Sequence, residues 1–160
     1  MNYKLIKATS DYKHVFRNLM QFYYYDFSEY LKFDTDENGL FEEYPYLNDY
    51  WKDENERFPY LITCEEKYVG FVLVKINQSD DHHYFSIAEF FVLKKYRLAG
   101  IGKAVAIDIF NAHKGDWEVH EKLSNKPAQI FWRKTILEYT KGAYTERIEN
   151  DKVIQNFRNH

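Results

Sequence analysis

The pattern of apolar and polar positions divides the 160-residue chain into a succession of strand and helix signals. Residues 3–8 read as an edge-type first strand, with Tyr3 and Leu5 on one side. Ser10 and Asp11 suit a helix start, and Val15, Phe16, Leu19, Phe22 and Tyr23 follow at helical spacing, predicting an amphipathic helix with one buried stripe. Tyr23, Tyr24, Tyr25 and Tyr30 extend it either as a second short helix or as an aromatic-lined loop. Residues 34–59 are acidic, contain Asn38-Gly39 and Pro45, and include a helical piece around 46–52. A connection of that length is expected to act as a lid or to face substrate. Residues 60–64 and 68–76 form a hairpin across Glu65-Glu66-Lys67, and residues 83–93 form a third antiparallel strand after a polar turn at 77–81.

The second half is organised by residues 89–104. An apolar run crosses the basic positions Lys94, Lys95 and Arg97, passes Gly100 and Gly102, and enters Ala104-Val105-Ala106-Ile107. This reads as strand, tight turn and helix start, where free N–H groups and the helix dipole favour an anion. The helix over 100–113 is apolar nearly all round, so it is expected to be buried. Residues 117–123 alternate as a strand, with Trp117, Val119 and Leu123 on one face and Glu118, His120 and Lys122 on the other. Pro127 then occupies a first helical turn; Ala128, Phe131, Trp132, Thr135, Ile136 and Tyr139 recur at helical spacing until Gly142. A terminal hairpin pairs residues 143–148 with 153–157.

Composition adjusts this picture in a few places. The length predicts one domain, residues 1–160. The single Cys64 excludes an internal disulfide, no basic segment with an apolar core opens the chain, and no apolar run approaches the roughly 20 residues of a membrane span. A cytoplasmic protein without membrane contact is expected. The net charge of −3 is uneven: residues 34–56 hold nine acids against Lys52 alone, a balance of −8, which leaves +5 elsewhere. No basic stripe points to nucleic acid, and His82-His83 lacks spaced partners for a metal site. If the acidic segment flanks a ligand site, it favours a cationic small-molecule amine over an acidic ligand.

The turn reads Arg97-x-x-Gly100-x-Gly102, preceded by Phe91-Val92-Leu93-Lys94-Lys95-Tyr96 and followed by a Trp117-Glu118-Val119 strand and Asn125-x-Pro127-Ala128. In this order of elements the chain resembles the GNAT superfamily of acyl-CoA-dependent N-acyltransferases over nearly its whole length. The resemblance implies a mixed α+β, three-layer fold with a mostly antiparallel sheet of six to seven strands, splayed at the cofactor site and flanked by about four helices. It also implies that acetyl-CoA is the co-substrate. The N–H groups of Leu98, Ala99, Gly100, Ile101, Gly102 and Lys103 would hold its pyrophosphate, with Arg97 beside them. Backbone groups of Phe90, Phe91 and Val92 would pair with the pantetheine arm, and Asn125 would touch that arm. Many relatives place a thiolate-protonating tyrosine where this chain has Trp132, an indole that is no useful acid; Trp132 is read as core that also borders the cofactor. Tyr139, Tyr144 or a water then protonates the thiolate, or it leaves unaided.

An alkylammonium acceptor, with a pKa near 10.4, must lose a proton before attack. Glu89, on the strand leading to the turn, is the first candidate base and His120 the second. No cysteine or serine motif offers a covalent relay, so direct transfer to an amine is expected, with a small molecule as acceptor. The alternative is a CoA-binding module with little catalysis. A dinucleotide fold is disfavoured because the strands before the turn read as hairpins rather than βαβ units. Either a monomer or a homodimer is compatible with the sequence.

Overall fold

The computed structural model describes residues 2–160. Strand β1 (Tyr3–Lys7) leads through a 3-10 turn at Ser10–Tyr12 into α1 (Lys13–Phe27), and a second 3-10 turn at Leu47–Trp51 precedes β2 (Arg57–Cys64). Strands β3 (Lys67–Ser79) and β4 (His82–Val92) are followed by the short helix α2 (Lys94–Arg97) and by α3 (Ile101–Ala112). Strand β5 (Gly115–Lys122), α4 (Lys126–Thr140), β6 (Thr145–Glu149) and β7 (Lys152–Asn159) complete the chain. The seven strands form one sheet in the order β1-β2-β3-β4-β5-β7-β6. Every neighbouring pair is antiparallel except β4 with β5, which is parallel.

Two apolar layers cover the sheet. On one face Ile62, Val72, Val74 and Ile87 pack with Val105, Ile109 and Phe110 of α3 and Trp132 and Ile136 of α4. On the other, Leu61, Phe71, Leu73 and Phe91 receive Phe16, Leu19, Met20 and Tyr23 of α1, with Leu47 and Tyr50 beside them. The buried positions of α1 recur at i, i+3, i+4 and i+7, the stripe that an amphipathic helix lays on a sheet. Helix α4 begins where the Asn125 side chain accepts the Ala128 N–H at 3.1 Å and ends at Lys141, which is left-handed with φ of 54°. Among the described residues, no helix is long and apolar enough to cross a membrane.

The structure differs from the sequence expectation in three places. Residues 23–27 neither start a second helix nor form a loop; α1 runs through Phe27, because Tyr23 continues the buried stripe. The helix expected from Ser10 begins as a 3-10 turn. The basic residues before the glycines, expected to lie in a tight turn, form the helical turn α2, tied by the Tyr96 N–H to Leu93 O at 2.9 Å.

Close packing of β3 on β4 rests on Gly70. A Cβ built there would lie 2.1 Å from the carbonyl oxygen of Phe91, a backbone atom that cannot move aside. Gly70→Ala is therefore expected to destabilise the fold by about 2–3 kcal/mol, the upper range for overpacking. Chemical denaturation measures this; a variant within about 0.5 kcal/mol of wild type, the level of a neutral surface change, would contradict the β3–β4 approach.

Candidate active site

The parallel contact between β4 and β5 lasts only two residue pairs, Phe85 with Trp117 and Ser86 with Glu118. Beyond Ser86 the strands separate, and β4 from Ile87 to Val92 pairs with β3 alone. Its other edge faces an opening in the middle of the sheet, where main-chain groups lack a strand partner. Unsatisfied backbone groups are costly when buried, so such an edge is suited to an extended ligand that carries amides.

A bulge in β4 sets which side chains look into this opening. Leu73 pairs with Glu89 and Val74 with Ile87, so Ala88 is the extra residue. Alternation would place Glu89 with Ile87 on the α3/α4 face. The bulge reverses the phase, as bulges do, and sets Glu89 against α1, where Tyr23 donates a hydrogen bond to its Oε2. Burial pushes the Glu89 carboxyl up to about 7, against the pull of hydrogen bonds from Tyr23 and Tyr44 and the charge of Lys75. A carboxyl in that range can accept a proton near neutral pH.

The opening is one cleft in two parts. The part holding Glu89, about 340 Å³, is lined by Tyr24, His120, Glu121, Lys122 and Lys152 among others. The second part, about 470 Å³, reaches Lys94, Arg97, Leu98 and Gly102. Tyr23, Phe27, Phe90, Asn125, Ala128 and Trp132 border both parts. Burial and the charges of Lys152, Lys75 and Lys122 lower the pKa of His120, against the pull of Glu118, which keeps the imidazole neutral.

At the far end, Gly100 adopts φ of 79°, a left-handed conformation that glycine reaches without strain, and a Cβ built there would meet nothing within 4 Å. The first bond of α3 runs from the Ala104 N–H to Gly100 O at 3.2 Å, so the N–H groups of Ile101, Gly102 and Lys103 precede it without an acceptor in the helix. A Cβ at Gly102 would stand 3.4 Å from the Phe131 ring. These residues fit a phosphate-bearing group: three N–H groups at a helix start have no acceptor in the helix, and the two glycines add no side chain beside them.

Several expected residues have other partners. Arg97 donates through Nε to Val92 O at 2.7 Å and pairs with Asp26, which Lys94 also approaches at 3.7 Å; it fastens α1 to the turn. Lys103 pairs with Glu138 of α4. Asn125 spends its Oδ1 on the helix cap and has its amide nitrogen left for the cleft it borders. Trp132 is 6% exposed, packed edge-on against Phe90 and Phe131 at ring separations of 5.1 and 4.9 Å. Tyr139 is not brought to the cleft. Its hydroxyl donates to Asn111 at 3.0 Å and accepts from Asn159 at 3.1 Å, where α3, α4 and β7 meet. The acids of residues 34–56 do not line the cleft either; Asp36, Glu42 and Glu43 border a separate cavity beside Arg17 and Gln21. Among the described residues, no group of three or more His, Cys, Asp or Glu is placed to hold a metal ion.

Glu121 was missed in the sequence. It is 5% exposed, accepts from Gln155 Nε2 at 3.0 Å, and has an Oε2 without a partner. Burial raises its carboxyl to about 8, so it carries a proton at neutral pH. The signal was present: residues 117, 119 and 121 share the inward phase of β5, and a glutamate in that phase departs from the apolar pattern.

A free strand edge, the half-buried carboxyl of Glu89 and a glycine turn of unpaired N–H groups make the cleft suited to an extended, anion-tipped ligand. The sequence model of the acetyltransferase (GNAT) family matches residues 17–136, and the chain belongs to that family. No curated protein matches the sequence at a significant level. Among solved structures, the PaiA N-acetyltransferase of Thermoplasma acidophilum in complex with coenzyme A is similar, with a TM-score of 0.68, 10% identity, and coverage of 99% of this chain and 100% of that one. NAA60 of Arabidopsis thaliana in complex with a bisubstrate analogue gives 0.65 at 11% identity, covering 98% of each chain. A GNAT-family acetyltransferase of Staphylococcus aureus Mu50 gives 0.62 at 16% identity, covering 97% of this chain and 99% of that one. These likenesses establish the shared fold.

The buried titratable groups predict a stability profile. Glu89 and Glu121 have folded pKa values of about 7 and about 8 against an ordinary 4.5, so their stabilising effect is full below 4.5 and lost as pH rises through 7 and 8. Burial lowers His113 to about 4 and also depresses His120, which adds stability with rising pH only up to the ordinary value of 6.5. Between pH 6.5 and 8 the carboxyls act alone, and the melting temperature is expected to fall. Glu121→Gln should flatten that decline; a wild-type melting temperature that rises over this interval would contradict the burial of both groups.

Proposed function

We propose that this protein is an N-acetyltransferase that moves the acetyl group of acetyl-CoA directly to the amine of a small molecule. The observation that carries the reading is the opening between β4 and β5, with Glu89 in its wall and unpaired N–H groups of the glycine turn at its far end. Support also comes from the family match and from the complexes of the Thermoplasma and Arabidopsis proteins with coenzyme A and a bisubstrate analogue.

Acetyl-CoA supplies an activated carbonyl and a thiolate leaving group. The N–H groups of Ile101, Gly102 and Lys103, with those of Leu98 to Gly100, bind its pyrophosphate. The free edge of Phe90, Phe91 and Val92 pairs with the pantetheine amides, and Asn125 and Trp132 border the arm. Glu89 takes the proton of the acceptor ammonium, assisted by a pKa already close to neutral. A main-chain N–H on the unpaired edge of β4 stabilises the negative charge that develops on the carbonyl oxygen. Glu121, a proton-bearing acid in the cleft wall, returns a proton to the leaving sulfur in place of the tyrosine that Trp132 replaces. The neutral His120 is the second base within the same cavity.

Glu89→Gln is expected to lower kcat by about 100- to 1,000-fold, within the usual range for loss of a general base, while acetyl-CoA affinity measured by calorimetry stays within about twofold. Gly100→Asp or Gly102→Asp should instead abolish acetyl-CoA binding by setting a carboxylate against the pyrophosphate. Unchanged turnover in Glu89→Gln would transfer the base to His120. Undiminished binding in both glycine variants would overturn the site.

A further inference from the structure

The end of the cleft beside Glu89 carries unbalanced positive charge. Lys122 of β5 and Lys152 of β7 are direct cross-strand partners, and both line the cavity that contains Glu89. Like charges directly opposite one another weaken an antiparallel pair, so the arrangement is costly without a counter-charge. His120 lies two residues before Lys122 on the same face of β5 and lines the same cavity. Lys75 of β3 is close enough to influence the charge states of both Glu89 and His120.

The carboxyls of the cavity do not balance this group: Glu89, which feels the charge of Lys75, has a pKa of about 7 and is only partly ionised near neutral pH, and Glu121, at about 8, holds its proton. Among the described residues, Lys75, Lys122 and Lys152 form no ion pair. Lys152 also borders a second cavity with Glu118 of β5 and with Glu149, its cross-strand partner across β6 and β7. Arg147 engages both, at 3.4 Å and 2.9 Å. Glu121, of opposite phase on β5, borders the cavity too, but its carboxyl is held by Gln155 at 3.0 Å. The pyrophosphate assigned to the glycine turn is no counter-charge either, because Lys122 and Lys152 border only the Glu89 part of the cleft. Asp36, Glu42 and Glu43 of the acidic segment border a different cavity, and none of the segment's acids lines this one.

We infer that the acceptor is a small amine that also carries an anionic group, a carboxylate or a phosphate, held by Lys122 and Lys152 while its nitrogen reaches Glu89. This rests on the transferase reading above and adds the class of acceptor. The paired lysines give an anion two donors on one face of the sheet, as charge-assisted recognition requires. A polyamine would meet like charge at the same place.

Matched acceptors separate charge from shape: lysine against cadaverine, and phosphoethanolamine against ethanolamine, each with acetyl-CoA and thiol release as the readout. The anionic member of at least one pair is expected to show a kcat/KM at least about tenfold higher, mainly through KM, with the gap narrowing as salt rises. The pair with the larger gap tells carboxylate from phosphate. Lys122→Gln and Lys152→Gln should each raise KM for the preferred acceptor about tenfold with kcat held, and should keep or raise the melting temperature of the free protein by relieving repulsion. Equal or better turnover of cadaverine and ethanolamine overturns this inference and leaves the transferase reading standing. Acetyl-CoA binding with no reaction of any of the four amines overturns it as well. Failure to bind acetyl-CoA removes the transferase reading itself, and the acceptor class with it.

Discussion

The break in pairing between β4 and β5 is the constraint on which the rest of the structure depends. A seven-stranded sheet normally satisfies its interior backbone along the whole length of each strand. Here the central parallel pair holds for two residues and then opens, leaving one edge of β4 free in the middle of the molecule. The opening persists because the flanks are well anchored. Strand β4 is held by β3 over most of its length, and β5 is held by β7 through all eight of its residues. The helices above span the gap: Trp132 of α4 packs on Phe90 of β4, and Phe110 of α3 packs on Trp117 of β5.

Two local devices shape that opening. The first is the bulge at Ala88, which turns Glu89 toward Tyr23. The second is the absence of a side chain at Gly70, which lets β3 approach the carbonyl of Phe91 and so fixes the path of β4 toward the turn. Asp26 completes the frame by pairing with Lys94 and Arg97, which fastens α1 to the end of β4. Together these place Tyr23, Glu89 and the glycine turn on a common wall built from elements distant in sequence.

The parts of the site legible in the sequence are those encoded by local pattern. Gly100 and Gly102 between an apolar run and a helix start, the spacing along α4, the terminal hairpin and the burial of α3 all depend on neighbours in the chain. The mixed fold with a splayed sheet came from the order of those elements and the resemblance they supported. What escaped was long-range partnership. Asp26, 71 residues from Arg97, has no local feature that marks it as that residue's partner. Tyr139 lay on the inward stripe of its helix, but Asn111 and Asn159 determine what its hydroxyl does. The acidic segment was legible as acidic, whereas the side of the molecule it faces follows from how its Tyr44 and Tyr50 pack against the sheet. Glu121 had a visible signal in the phase of β5, and its meaning depended on Gln155, 34 residues later.

The arrangement of charge along the cleft gives these pieces a physical logic. Free N–H groups lie at one end, paired lysines at the other, and between them the half-buried Glu89 and the buried Glu121, with pKa values of about 7 and about 8. Both ends attract anions and lie next to solvent, where strong charge is tolerated. The middle is walled by Trp132, Phe90 and Tyr23, and in such surroundings an ionised group is expensive. A ligand anchored by anions at both ends would bring its uncharged reacting atoms into that middle. Burial there keeps Glu89 and Glu121 close enough to neutrality to exchange protons instead of remaining fixed charges. The low polarity that raises those pKa values therefore also favours ligands whose charges lie at a distance from the middle, as the two ends of the cleft would allow.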